Sequence, residues 1–252
     1  MLKKILRAAF RRTGYTIITN KHYDRLFDIT QYSDFDCLYL VKDVYQDKKG
    51  LVLFDIGANV GQTSAKFISK FIEPRIYCFE PVKNTFALLT QNLKNYPSIK
   101  LYQLAMGEKP GKVEIYHKEN TQLNTLVSAL NEPAKNNGST SEVIEITTVD
   151  EFVKINGLTK IHLLKSDTEG FEKQVIEGAK NMLSSKRIDM LYIEVGFNTE
   201  DIQHNYWLDI VNVLKGYQYY FAGLFEVNYD GKISICYANA LFLKDRDIDT
   251  YK

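Results

Sequence analysis

Phe54-Asp55-Ile56-Gly57-Ala58-Asn59-Val60-Gly61-Gln62-Thr63-Ser64 is the stretch that decides how the chain is read. It starts inside an apolar strand, LVLFDI at 51–56, and runs through two glycines straight into an amphipathic segment. In open α/β sheets ligands sit beyond the carboxyl ends of the strands, where glycine lets the backbone turn sharply and come close to them. Asp55, Gly57, Asn59 and Gly61 are therefore candidates for a cofactor loop. A dinucleotide loop would read G-x-G-x-x-G, with the pyrophosphate resting on a helix N-terminus. Here Asn59 takes the place of the middle glycine and Asp55 precedes the turn, so the lip is acidic and suits a ligand with a cationic amino acid end. A glycine turn after a strand can also be purely structural, and the strands around it have to be read with it.

The next apolar run, RIYCFE at 75–80, ends in Glu80, nineteen residues after Gly61. An acidic side chain at about that distance meets the ribose hydroxyls of an adenosine cofactor. Pro81 cannot extend the ladder and ends the strand with Glu80 at its mouth. Further strands are expected at 99–105, 160–167 and 189–195, and helices at 60–71 and 84–96, where apolar residues recur at near-helical spacing. Such alternation from Leu51 onward predicts an α/β fold, a mostly parallel sheet with helices on both faces. GYQYYFAGLFEV, the turn Asn228-Tyr229-Asp230-Gly231 and KISICYANALFLK should close the sheet with antiparallel strands. Between the third and fourth parallel strands, GKVEIYHK and EVIEITTVDEF read as extra strands around a long polar loop at 119–141, a candidate lid.

The chain's 252 residues are enough for one large domain, read as residues 51–252, with residues 1–50 as a helical extension. Hydrophobic residues at 45% and charged residues at 25% give the ordinary balance of a globular protein, and a net charge of +1 gives no bulk reason to expect a nucleic-acid partner. Cys37, Cys78 and Cys236 show neither metal-ligand spacing nor a disulfide framework, which suits the cytoplasm. The opening MLKKILRAAFRR lacks the apolar length of a signal peptide or a membrane span. On a helix, Leu2, Ile5, Leu6 and Ala9 would share one face with basic residues around it. That pattern fits packing on the protein's own domain or a peripheral contact with the inner face of a membrane.

KSDTEGFE places Lys165, Asp167 and Glu169 at the carboxyl end of the fourth strand, beside the glycine-loop strand in this fold. Asp167 is the first candidate for a base or substrate clamp; a helix N-cap, or a carboxylate holding a cofactor amino group, is the alternative. Glu194, at the end of the fifth strand, either completes an acidic pocket or is structural. Glu172 reads as a first-turn helix carboxylate. Histidine as a residue type can serve as a general base, which makes His204 a candidate, but Gln203 and Asn205 beside it suggest a solvated helix start. His162 alternates with apolar residues and reads as a satisfied buried or partner-facing side chain. No histidine or cysteine pair has familiar metal spacing; Asp167, Glu169 and Glu194 could hold a hard cation, but no metal ligand is assigned.

FDIGANVG, CFEPVKNTFALLTQNL, LLKSDTEGFEKQVIEGA and LYIEVGF, in that order, resemble the successive motifs of the FkbM family of S-adenosylmethionine (SAM) dependent methyltransferases. The likeness covers Leu51 to Phe197, and D-x-G-A-N-x-G followed by K-x-D-x-E-G-x-E makes it specific. It implies a Rossmann-like class I sheet of seven strands with the last antiparallel, SAM as cofactor, and methyl transfer to a hydroxyl oxygen. By position, Asp55, Gly57, Asn59, Gly61 and Glu80 match the family's cofactor residues. Asp167, with Glu169 or Glu194, is expected to serve the acceptor. Ser166, Thr168 and Phe171 depart from the commoner residues and bear on substrate fit. The implied acceptor is a saccharide or another hydroxyl-bearing small molecule or glycan. An NAD(P)-dependent oxidoreductase and a non-catalytic SAM-binding module are the alternatives.

Overall fold

A computed structural model describes residues 37–46, 48–116, 141–201, 203–230 and 234–244, all within one compact unit that begins at Asp36. The basic segment at the start and all but the last residue of the candidate lid loop lie outside the described residues. The first described helix, α1, spans Leu38–Tyr45.

Strand β1 is Val52–Ile56, and every one of its residues is buried. That uninterrupted burial is what a strand covered on both faces needs, and it explains why VLFDI does not alternate. On one side β1 pairs in parallel with β2, Arg75–Phe79, which pairs with β3, Ile99–Tyr102. On the other side it pairs in parallel with β7, Ile161–Ser166, which is followed by β8, Ile188–Gly196. The last two strands, β9 at Tyr220–Asp230 and β10 at Ser234–Leu243, complete a seven-stranded sheet of order β3-β2-β1-β7-β8-β10-β9. β10 runs antiparallel to both of its neighbours. The chain therefore winds outward from β1 to β3, returns to β7 and winds the other way. The switch point between β1 and β7 is where such sheets bind ligands. Asp55 and Lys165 face each other in register there.

Three expectations need correcting. The run 99–105 is not one strand: after Tyr102 the chain leaves the main sheet, and β4, Ala105–Met106, joins β5, Gly111–Tyr116, and β6, Ser141–Thr147, in a separate sheet of order β4-β6-β5. EVIEITTVDEF is a strand only as far as Thr147. The Thr148 hydroxyl then accepts the Glu151 N–H at 3.0 Å and, with Asp150 and Glu151 in the first turn, starts helix α4 at Val149–Ile155. The turn expected at 228–231 also differs, since Asn228, Tyr229 and Asp230 lie within β9 and Gly231 is outside the described residues.

The core gathers on the α4 face of the sheet. Phe152 stands edge-on to Phe79 with centroids 4.8 Å apart and to Tyr102 at 4.9 Å, next to Phe54 and Tyr77. Truncating a ring packed this way costs about 3–5 kcal/mol. The opposite face is different in kind. Asp55 on β1, Lys165 on β7, Glu194 and Tyr192 on β8 and Asn239 on β10 follow one another by register, a polar line near the carboxyl edge. His162, at the other end of β7, is buried as expected: its Nδ1 accepts the Val52 N–H at 2.9 Å and its ring meets Tyr45 edge-on. No disulfide joins the three cysteines, and among the described residues no helix is long and apolar enough to cross a membrane.

Candidate active site

The loop after β1 turns because Gly57, Asn59 and Gly61 all take positive φ, at 75°, 49° and 99°. Gly57 and Ala58 donate their N–H groups to the Phe79 carbonyl at 3.0 Å, tying the loop to the end of β2. On the other side Asp167 donates its N–H to the Ile56 carbonyl at 3.1 Å. A Cβ at Gly57 would lie 1.7 Å from the Asp167 carbonyl oxygen, so the two loops touch backbone to backbone and only glycine fits. Helix α2, Gln62–Lys70, follows at once.

Glu80 closes this loop from β2. One carboxylate oxygen accepts the Asn59 N–H at 3.1 Å and the other the Val82 N–H at 3.0 Å. Burial raises the Glu80 pKa, and the two backbone donors pull against that shift. A cleft opens in front of it, with an empty volume of about 880 Å³ including its mouth. One wall is apolar, with Phe79, Pro81, Val82, Leu104, Ala105 and Met106; the other is polar, with Asn59, Glu80, Asp167, Thr168 and Glu169. This arrangement fits a nucleoside-sized cofactor, since each Glu80 oxygen keeps a lone pair for a ribose hydroxyl and the apolar wall offers a seat for a flat base.

Asp55 is placed differently from the expectation of an acidic lip. It is fully buried beneath the loop, where one oxygen accepts the Ser64 hydroxyl at 2.6 Å and the other lies 3.5 Å from Lys165 Nζ. Gly61 likewise lies outside the cleft lining, packed on Leu89 and Leu93. Gly57, Asn59 and Glu80 do meet at the cleft.

Lys165, only 5% exposed, anchors the acid end. Its ammonium lies 3.1 Å from Asp167 and 3.4 Å from the Gly57 carbonyl. Burial opposes its charge, but Asp167 and Asp55 more than restore it, and its pKa is raised. Asp167 is pushed up by burial, yet Lys165 and a hydrogen bond from Glu194 hold it below the usual carboxylate range. Glu194, 8% exposed, goes the other way: burial and the neighbouring Asp167 push its pKa far up, so it keeps its proton at neutral pH and donates it to Asp167. Glu169 is also raised, by burial and by Asp167. The structure thus brings Asp167, Glu169 and Glu194 together.

Glu172, Asp201 and Tyr237 also belong to this site although the sequence alone did not single them out for it, together with His204, which it weighed as a general base and read as solvated. Glu172 is the first-turn helix carboxylate expected, and it is buried. Its Oε1 accepts the Thr168 N–H at 2.7 Å and the Thr168 hydroxyl at 2.8 Å, and so holds the loop in which Glu169 sits at φ 54°. Burial pushes its pKa up to about 7. His204 needs correcting. The helix it was expected to start spans Trp207–Gly216, beyond His204, and Gly196 bonds through its N–H to the Asn205 carbonyl at 2.9 Å, folding the segment back over the end of β8. The imidazole is consequently 10% exposed, with Nδ1 2.7 Å from Asp201 and Nε2 3.6 Å from Glu194. Its ring stacks on Tyr237 of β10, centroids 4.7 Å apart and planes 10° from parallel. The Asp-x-x-His and Thr-x-x-x-Glu spacings were the available signals.

The family profile described as "Methyltransferase FkbM domain" matches residues 55–221, roughly two thirds of the chain. The chain is similar to "2-O-methyltransferase NoeI" of Sinorhizobium fredii, 24% identical over 152 residues, 56% of this chain and 62% of that protein. It is also similar to "Hexuronic acid methyltransferase AglP" of Haloferax volcanii, 27% identical over 151 residues, 60% of this chain and 59% of that protein. It thus spans about 60% of the length of these relatives. Among solved structures, an rRNA methylase from Streptococcus thermophilus superposes with a TM-score of 0.47 at 11% identity, covering 91% of this chain and 99% of that one. With the match across the glycine loop, Glu80 and the acid cluster, the chain belongs to the FkbM family of SAM-dependent methyltransferases.

Proposed function

We propose that the protein is an O-methyltransferase that carries the methyl group of SAM to a hydroxyl of a saccharide. The observation that carries this reading is that Gly57, Asn59 and Glu80 line the same cleft as Asp167 and Glu169. Glu80 would hold the ribose hydroxyls, Leu104, Ala105 and Met106 would face the base, and the backbone at Gly57 and Asn59 would meet the amino acid end. Bound SAM supplies an electrophilic methyl on a sulfonium, which needs only an aligned oxygen and a group to take the hydroxyl proton. Asp167, kept ionised by Lys165, accepts a hydrogen bond from the acceptor hydroxyl and orients it. Glu194 fixes Asp167 from behind, and Glu169 offers a second acceptor for a neighbouring hydroxyl. Such a carboxylate-lined end suits a polyhydroxylated substrate, and the names of the two relatives, a 2-O-methyltransferase and a hexuronic acid methyltransferase, support sugars as the class.

The same reading takes residues 51–252 as the catalytic domain and residues 1–50 as an extension. It sets the protein in the cytoplasm, with the basic segment at the start, outside the described residues, reaching the inner membrane face. It includes no nucleic-acid partner.

Isothermal titration with S-adenosylhomocysteine, and with NADH in parallel, tests the cofactor. Transfer of labelled methyl from SAM to p-nitrophenyl glycosides of neutral hexoses, deoxyhexoses and hexuronic acids tests the acceptor. The expected result is binding of S-adenosylhomocysteine alone and a label stable to base, as an ether is and an ester is not. Binding of NADH alone, or binding of S-adenosylhomocysteine with no label in any glycoside, would overturn the proposal.

A further inference from the structure

We infer that His204 is the general base of the transfer, with Nε2 receiving the proton of the acceptor hydroxyl while Asp201 keeps the other ring proton on Nδ1. The inference rests on the methyltransferase reading and adds the one component it leaves open, the destination of the proton.

Two of the three carboxylates are poor candidates for that destination, and the third, Glu169, is the rival that the variants below must separate from His204. Glu194 already holds a proton, and Asp167 is stabilised as an anion by Lys165, which makes it a weak base and a good orienting group. An imidazole is matched to proton transfer near neutral pH.

The surroundings of His204 fix both its ring plane and its tautomer. Asp201 accepts the Gln203 N–H at 2.8 Å with one oxygen and lies 2.7 Å from His204 Nδ1 with the other, so the carboxylate is itself held in place. Tyr237 covers one face of the ring. A Cβ at Gly196 would lie 2.8 Å from His204 Cβ, so the root of the side chain is pressed against the end of β8. The root of the side chain and one face of the ring are thereby held. Nε2 is left as the nitrogen turned toward the acid cluster, 3.6 Å from Glu194, beyond hydrogen-bond length. Glu169, Glu194 and His204 each present an atom within 4.8 Å of the others, and Glu169 lines the cleft. Glu169 thus joins the cleft to the histidine, and a hydroxyl that hydrogen-bonds Glu169 would approach the imidazole from the cleft side.

Atoms and charge balance. As the oxygen–methyl bond forms and sulfur keeps the electron pair of the bond it loses, the hydroxyl proton passes to Nε2. One positive charge moves from the sulfonium to the imidazolium, where Asp201 stabilises it. The groups facing the ring are Asp201, Glu194 of β8, Glu169 and Asp167 of the loop after β7, and Tyr237 of β10. Lys165 on the far side of Asp167 is the nearby cation.

The deciding measurement uses the full chain labelled with 15N-histidine and saturated with S-adenosylhomocysteine, with long-range 1H–15N correlations recorded from pH 6 to 9. His204→Gln assigns the signal. The expected result is a neutral ring protonated on Nδ1, with Nε2 bare, which Asp201→Asn shifts toward the opposite tautomer. His204→Gln and His204→Asn should keep S-adenosylhomocysteine affinity within about threefold while lowering kcat on the labelled glycoside by about 100-fold or more. A neutral ring protonated on Nε2, a variant keeping more than about a tenth of turnover, or a shift of the Nε2 signal on adding MgCl2 or ZnCl2, which would make the cluster a cation site, would each overturn the inference. Failure of the wild type to bind S-adenosylhomocysteine would sink the methyltransferase reading, whereas binding with the wrong tautomer or with turnover kept in the variants overturns the assignment of His204 alone, so the two failures are told apart.

Discussion

Gly57→Ala should separate the glycine loop from the loop after β7, with an effect that can be worked out in two parts. The first is conformational: Gly57 has φ 75°, where alanine costs about 1–2 kcal/mol. The second is steric, because the added carbon would lie 1.7 Å from the Asp167 carbonyl oxygen and backbone cannot rotate away as a side chain can. The loops must part by more than about 1 Å, which breaks the Asp167 N–H bond to Ile56 and adds about 1–3 kcal/mol. The sum is about 2–5 kcal/mol. For a chain of this size that lowers Tm by roughly 4–20 °C. Gly157→Ala is the control, since Gly157 has φ 61° but nothing within 4 Å of an added Cβ, and it should show the conformational part alone. Differential scanning fluorimetry gives both Tm values, and titration with S-adenosylhomocysteine should show binding lost in Gly57→Ala and kept in Gly157→Ala. Equal Tm shifts for the two variants, with binding intact in both, would refute the reasoning.

Glu80→Gln replaces a carboxylate that accepts two backbone N–H groups and would hold the ribose. It should weaken S-adenosylhomocysteine by about 10- to 100-fold in isothermal titration, the value of charge-assisted hydrogen bonds. Lys165→Met leaves Asp55 and Asp167 facing each other without a buried cation and should cost about 3–5 kcal/mol in urea unfolding, part of which Asp55→Asn should restore. His162 is held to a pKa of about 4 by burial, with Lys48 as a lesser cause, so the unfolded chain binds a proton there that the folded chain refuses. Its contribution to stability is present above about pH 6.5 and is lost as pH falls toward 4; His162→Gln, which can still accept the Val52 N–H, should flatten that part of the stability curve.

Much of the sheet was legible in the sequence because its strands are apolar runs ended by glycine, proline or acid. β1, β2, β7 and β8 lie within a residue or so of their expected limits for that reason. The break at Gln103-Leu104 was not legible, since IKLYQLA has one continuous apolar pattern and only the pairing of Ala105 with Ile146 shows that it serves two sheets. In the site, spacing was enough to collect Gly57, Asn59, Glu80, Asp167, Glu169 and Glu194. It could not separate Asp55, which props Lys165 from below, from the residues that line the cleft. His204 was misjudged because flanking polarity argues for exposure, whereas its burial comes from a fold-back after β8; Glu172 is the first-turn carboxylate expected, and what spacing did not show is its reach into the preceding loop.

The placement of β10 between β8 and β9 has a consequence for how the protein is made. Strands β1 to β8 can pair as they emerge, but the free flank of β8 must wait until residues 234–243 have been synthesised and have slotted in beside it. Tyr237, the ring under His204, arrives with that last strand. A nascent chain that stops short of β10 would carry the whole glycine loop and Glu80 yet lack the support for its histidine, and the bare edge of β8 would mark it for pairing with other chains or for proteolysis. Assembly of the histidine's surroundings therefore depends on completion of the sheet.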